Sequence, residues 1–278
     1  MTYESQWGLR YCPFPRSADD RHFYRLPNVE EALARLHYLV DRHARLGLVI
    51  GSRGSGKTAL LEVFANERRR RGAHVAVVSL AAVDPREFLW QVAACWGLNP
   101  ELSDSLFRLW RATSDAIIEF RCQRTDVVLL VDDAGSASRE VLDQVTRLVR
   151  ADSAADSRLT IVLAACERSL PQIGWQLLDM TELRVDLQPW ESSDTARYLE
   201  STLVDAGHAG EVFDAAAVAR VHELSRGVPR HINRLAELSL MAAACQSLHG
   251  VNASTVESVY HELSVAEAWQ PAGAAEDA

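Results

Sequence analysis

The sequence predicts an α/β fold, with a five-stranded parallel sheet sandwiched by helices and a small all-helical domain after it. Three observations carry that reading. Short apolar runs alternate with helical stretches over residues 46–188, a glycine-rich loop joins the first run to the helix behind it, and beyond Gln188-Pro189 only helical periodicity remains. Apolar runs of this length between helices are the pattern of parallel strands covered on both faces.

Residues 1–28 hold Pro13, Pro15 and Pro27 among Tyr3, Trp7, Tyr11, Phe14, Phe23 and Tyr24. Proline interrupts regular structure and aromatics need a surface to pack on, so this segment reads as an arm laid over a domain. A helix is expected from about Asn28, read as its N-cap ahead of Glu30 and Glu31, with Ala32, Leu33, Leu36, Leu39 and Val40 on one face. The first strand spans 46–50 and ends in the glycine-rich loop. A helix over 57–71 follows, closed by Gly72. Further strands are expected at 74–80, 126–131, 159–165 and 183–187, and helices at 85–96, 105–121 and 138–150. Four more helices, at 192–206, 214–225, 230–247 and 253–263, are separated by Gly207, Gly227-Val228-Pro229 and Gly250. The expected organisation is an arm and helix over 1–45, a core over 46–188, a helical domain over 189–265 and a disordered tail over 266–278.

A chain of 278 residues with 48% hydrophobic and 24% charged residues can bury a substantial core and has ordinary globular composition. The net charge of -9 argues against a wholly nucleic-acid-binding surface. The five cysteines, Cys12, Cys95, Cys122, Cys166 and Cys245, are scattered, which signals neither a disulfide framework nor a zinc site. No charged leader with an apolar run opens the sequence, and no stretch reaches the ~18–20 apolar residues of a membrane span. The expectation is a soluble, cytoplasmic protein that meets the inner membrane, if at all, through a partner.

Gly51-Ser52-Arg53-Gly54-Ser55-Gly56-Lys57-Thr58 fits G-x-x-x-x-G-K-[ST], with a strand before it and a helix after it. The glycines let backbone N–H groups wrap phosphates closely, and the helix beginning at Lys57 and running through Ala59 offers its positive end. In such a P-loop Lys57 reaches the β- and γ-phosphates of ATP, and the Thr58 hydroxyl ligates Mg²⁺. A second metal element is expected where an apolar strand ends in an acid, and Val127-Val-Leu-Leu-Val131-Asp132-Asp133 supplies it. Asp132 is assigned to Mg²⁺ and Asp133 to orienting or deprotonating the attacking water.

These residues, in this order, resemble the AAA+ superfamily and, more narrowly, the general secretion pathway protein A family of ATPases. The resemblance rests on Trp7-Gly8-Leu9 and Pro13-Phe14, Glu31-Ala32-Leu33, the P-loop, Leu187-Gln188-Pro189, and Ser225-Arg226-Gly227-Val228-Pro229-Arg230-His231-Ile232-Asn233. It implies that residues 189–265 form a lid and that Arg230 reaches from it to the γ-phosphate. It also implies a protein partner in a secretion or cell-envelope complex and a homo-oligomeric assembly. Departures from the family pattern are Asp133 and Gly135 in place of Glu and Gln, Cys166 where a polar sensor of the γ-phosphate is usual, and Met180 where an arginine is expected. Arg168 and Arg184 lie nearby but displaced. Binding groups are therefore intact and hydrolytic ones eroded, so slow hydrolysis is expected. Two alternatives are a nucleotide-gated switch with little turnover and a DNA-binding target-selection ATPase.

The run Arg68-Arg69-Arg70-Arg71 reads first as cations complementing a helix C-terminus, with DNA or acidic lipid as the sharper and less favoured reading. Trp90, Trp96 and Trp110 fall at core-like positions. The nine histidines show no ligand spacing, so a protein-held transition metal is unsupported.

Overall fold

The structure, a computed structural model, describes residues 3–14, 23–152, 154, 156–208 and 210–268. It divides into two compact units, Ala18–Gln188 and Met1–Ser17 with Pro189–Ala278. Residues 1–45, grouped together on sequence, are shared between them.

In the larger unit α2 (Pro27–Asp41) precedes β1 (Leu46–Gly51), α3 (Lys57–Arg70), β2 (His74–Ser79), α4 (Pro85–Cys95) and α5 (Leu106–Cys122). Then come β3 (Val127–Asp132), α6 (Arg139–Ala151), β4 (Leu159–Ala165), α7 (Leu170–Ile173), α8 (Trp175–Asp179) and β5 (Leu183–Leu187). All strand pairs are parallel, in the order β2-β3-β4-β1-β5. Every residue of β1, β3 and β4 is buried, as continuous apolar runs require. One face packs on α2 and α3 through Leu36, Leu61 and Phe64. The other packs on α4, α5 and α6 through Phe88, Trp110 and Val145. Each fully buried side chain of this kind contributes roughly 1.5–3 kcal/mol.

One local expectation is corrected and another gains detail. Helix α2 starts at Pro27 with Leu26 as its cap residue, so Asn28 lies inside the helix and caps nothing. Proline at the first position needs no donor and presets the helical φ. The arginine run closes α3 as expected, with Arg68, Arg69 and Arg70 in the last turn, but one of its members is buried. Arg68 is only 3% exposed and donates to Asp41 at 2.7 Å and to Asp126 at 2.8 Å, while Arg158 donates to Asp126 at 3.1 Å. The tie joins the ends of α2 and α3 to the start of β3.

The smaller unit holds α1 (Tyr3–Gln6), α9 (Ser192–Asp205), α10 (Ala215–Ser225), α11 (Pro229–Cys245) and α12 (Ala253–Ala268), and α1 with the arm after it packs on α9 and α11. Trp7 Nε1 donates to Leu240 O at 3.1 Å, Arg10 N–H donates to Ala206 O at 2.8 Å, and Phe14 is buried beside Tyr198 and Phe213. Helix α12 runs past the expected 263, and residues 269–278 of the expected tail lie outside the described residues. Among the described residues no helix is long and apolar enough to cross a membrane.

Candidate nucleotide-binding site

The loop between β1 and α3 is shaped by its glycines. Gly54 and Gly56 have φ of 86° and 97°, a region costly for other residues. Gly51 has another reason: a Cβ there would overlap Ser55 Oγ and stand 3.2 Å from both Leu187 Cβ and Leu187 O. Helix α3 opens on Gly56 with no side-chain cap and no acid in its first turn, whereas Asp84 and Ser105 cap α4 and α5. The positive end of α3, with the amides through Ala59, is left for an anion. Ser55 Oγ is buried without a hydrogen-bond partner among the described residues. An orphaned donor in this loop fits a phosphate-binding role.

Lys57 is only 7% exposed, and its Nζ donates to Gly51 O and Ser52 O, both at 3.0 Å, and to Cys166 Sγ at 3.6 Å. The ammonium is thus folded onto its own loop. Thr58 is exposed and its Oγ1 donates to Asp132 Oδ2 at 2.5 Å. Asp132, 5% exposed, also accepts from Asp133 N at 2.9 Å. Strand order explains the reach. β4 lies between β1 and β3, so Cys166, one residue beyond β4, sits between the P-loop and the acid. Thr58 and Asp132 bring two hard oxygen donors together, the chemistry that suits Mg²⁺ completed by phosphate and water.

Asp133 is exposed, with φ 51° and ψ 35°, and precedes the 3-10 turn Ala134–Ser136. Aspartate is among the non-glycine residues that tolerate this left-handed conformation best. The residues singled out on sequence therefore separate into two sets. Gly51, Ser52, Arg53, Gly54, Ser55, Gly56, Lys57, Thr58, Ala59, Asp132 and Asp133 gather at one edge of the sheet. Arg230 belongs to the helical unit, exposed in the first turn of α11. Around it the motif has internal roles: Asn233 accepts from Tyr198 OH at 2.7 Å, and Gly227, φ 69°, lies so close to Trp190 that a Cβ would overlap the Trp190 carbonyl. Burial pushes the Tyr198 phenol up to about 12, which keeps it a donor. Met180 is partly buried against the core, and Arg184 is engaged by Asp186 at 2.7 Å.

The comparisons with known proteins agree with this geometry. Residues 40–173 match the family described as an AAA domain. Over 134 of its 278 residues, then, the chain resembles an AAA domain. It is similar to General secretion pathway protein A of Aeromonas hydrophila, 25% identical over 266 residues that cover 94% of this chain and 48% of that protein. The chain thus spans about half the length of the curated relative it matches. In fold it resembles Cdc6p of Pyrobaculum aerophilum (TM-score 0.69, 16% identity, 93% of this chain and 70% of that one). It likewise resembles the Aeropyrum pernix ORC1 protein, solved in complex with DNA (TM-score 0.65, 17% identity, 92% and 69%). A third neighbour is the Thermotoga maritima RuvB Holliday junction branch migration motor (TM-score 0.56, 17% identity, 91% and 74%). The five-stranded parallel sheet with flanking helices is a fold that these neighbours share.

Sequence reasoning missed Ser169 and the role of Gly135. A Cβ on Gly135 would overlap Ser169, and the signal available was a glycine where the resembled family carries a glutamine.

Proposed function

We propose that this chain is an ATPase that binds ATP with Mg²⁺ at the P-loop, hydrolyses it slowly, and couples nucleotide state to the assembly or remodelling of a partner complex of secretion or cell-envelope type. The observation that carries the reading is the constellation of Lys57 and Thr58 on an uncapped helix start with Asp132 at the end of β3. Binding lets Lys57 exchange two neutral carbonyls and a thiol for anionic phosphate oxygens, a stronger class of hydrogen bond. Thr58 and Asp132 would hold Mg²⁺, which supplies neutralisation of phosphate charge. Asp133, exposed at the same edge, is assigned to orienting the attacking water and accepting its proton.

Three features support slow turnover. Cys166 offers a thiol, a weak donor, beside the P-loop lysine. Met180 stands where the resembled family suggests an arginine, and Arg184 is taken by Asp186. Loss of an arginine finger costs ~10³–10⁵ in turnover. Arg230 is assigned to sensing the γ-phosphate. It supports this role by having no hydrogen bond or ion pair among the described residues and by placing positive charge at the dipole's unfavourable end. We assign the chain a cytoplasmic location, peripheral to the inner membrane through a partner, and self-assembly, readings that the resemblance to General secretion pathway protein A supports.

The test is steady-state phosphate release by the purified chain with Mg²⁺, alongside its size with and without ATP. Slow release abolished by Lys57→Ala, with a nucleotide-dependent change in size, is expected. Turnover as brisk as a typical enzyme's, on the order of 10 s⁻¹, would contradict slow hydrolysis. Tight, salt-sensitive DNA binding would favour the target-selection alternative.

A further inference from the structure

The loops that follow β3 and β4 are keyed together at one glycine. The β3–β4 ladder ends at Val131 and Leu163, so pairing between strands does not register what comes after. Gly135, in the 3-10 turn after β3, is so close to Ser169 that a Cβ would overlap Ser169 Oγ and Cβ and stand 3.3 Å from Ser169 O. Gly135 does not have positive φ, so its backbone would accept alanine, and the contact alone demands glycine. Each partner is tied to a residue of the nucleotide site. Ser169 donates to Cys166 O twice, from N at 3.0 Å and from Oγ at 2.8 Å. On the other side Ser136 N donates to Asp133 O at 2.8 Å, closing the turn that holds Asp133 left-handed.

We propose that Gly135 and Ser169 are positioning residues for nucleotide turnover. Their contact sets the separation between the Asp133 turn and the Cys166–Lys57 pair, while neither residue has a hydrogen bond to the phosphate loop among the described residues. The inference rests on the ATPase reading above. A methyl group at 135 must push the loops apart, and ~1 Å of misplacement at a reacting centre costs on the order of a hundredfold in rate. The P-loop, held by β1, α3 and Leu187, is not displaced by the same change.

Gly135→Ala, Gly135→Ala with Ser169→Gly, and Gly135→Ala with Ser169→Ala are compared with wild type in the full chain. Three quantities are measured: affinity for a fluorescent ATP analogue, steady-state phosphate release, and the rate at which N-ethylmaleimide alkylates Cys166, mapped by mass spectrometry against the exposed Cys95 and Cys122. Gly135→Ala should keep affinity within about threefold, lose about a hundredfold in turnover, and change the Cys166 alkylation rate relative to the two standards. Ser169→Gly should restore both properties, because it removes the Cβ that collides. Ser169→Ala should not, because that Cβ remains. Wild-type turnover and alkylation in Gly135→Ala, equal rescue by both second substitutions, or affinity lost in step with turnover would each overturn the proposal. If wild type releases no phosphate, the hydrolysis reading fails by itself, and the keying of the loops stands or falls on the alkylation pattern.

Discussion

Replacing Arg68 by alanine removes the one arginine of the Arg68–Arg71 run that is buried in the larger unit. Its guanidinium, 3% exposed, bridges Asp41 and Asp126, whose side chains are 58% and 23% exposed. Truncating one member of a buried ion pair costs ~3–5 kcal/mol, mainly through the charge left behind. Here the cost belongs at the lower end of that range. Asp41 rehydrates readily, Asp126 keeps Arg158 at 3.1 Å, and Arg68 Nε already lacks a partner among the described residues. A loss of about 3 kcal/mol in a domain of this size lowers Tm by roughly 6–12 °C. Arg70→Ala, at an exposed position, should stay within about 0.5 kcal/mol of wild type. Thermal denaturation followed by tryptophan fluorescence senses the larger unit through the buried Trp96 and Trp110, with Trp7→Phe as the shared background that removes the buried tryptophan of the smaller unit. Arg68→Lys should fall between the two, since an ammonium cannot span both carboxylates as a guanidinium fork does. An Arg68→Ala protein that melts within about 2 °C of Arg70→Ala would refute the reasoning and return the run to a solvated surface.

Three further outcomes are expected. Gly227→Ala should destabilise the helical unit by more than ~1 kcal/mol, because alanine is strained at φ 69° and collides with Trp190, as denaturant titration would show. Asp133→Glu should cost about 1 kcal/mol of stability in its left-handed turn while raising phosphate release through its longer reach, and unchanged or lower release would contradict the assignment of Asp133. Glu67 is pushed up by burial, but hydrogen bonds from Arg25 and His37 outweigh this and leave its carboxyl below the ordinary range. That contribution is complete above the unfolded-state pKa and fades as pH falls through the lowered value. Glu67→Gln should therefore flatten the acid side of a stability-against-pH curve, and parallel curves would contradict it.

The elements of the sheet were legible because buried parallel strands are apolar throughout, and because Gly72, Gly207 and Gly227 punctuate the helices. Strand order was not. Nothing in the composition of 159–165 says that it pairs between the P-loop strand and the strand ending in Asp132. Only that order brings Cys166 against Lys57. The burial of Arg68 was available in principle, since Leu61, Phe64 and Ala65 share its helical face and are all buried, yet four identical residues in a row conceal the period. The P-loop and Asp132 were readable as a pattern tied to phosphate chemistry. The Gly135–Ser169 contact was not, because it joins two loops distant in sequence through the absence of an atom.

Equilibrium binding of a fluorescent ATP analogue, titrated against wild type, Lys57→Ala and Asp132→Asn with and without Mg²⁺, tests the central claim most directly. Saturable binding to wild type, abolished by Lys57→Ala and deprived of its Mg²⁺ dependence by Asp132→Asn, is the predicted result. Equal binding by Lys57→Ala and wild type would contradict the assignment of this loop as the nucleotide site.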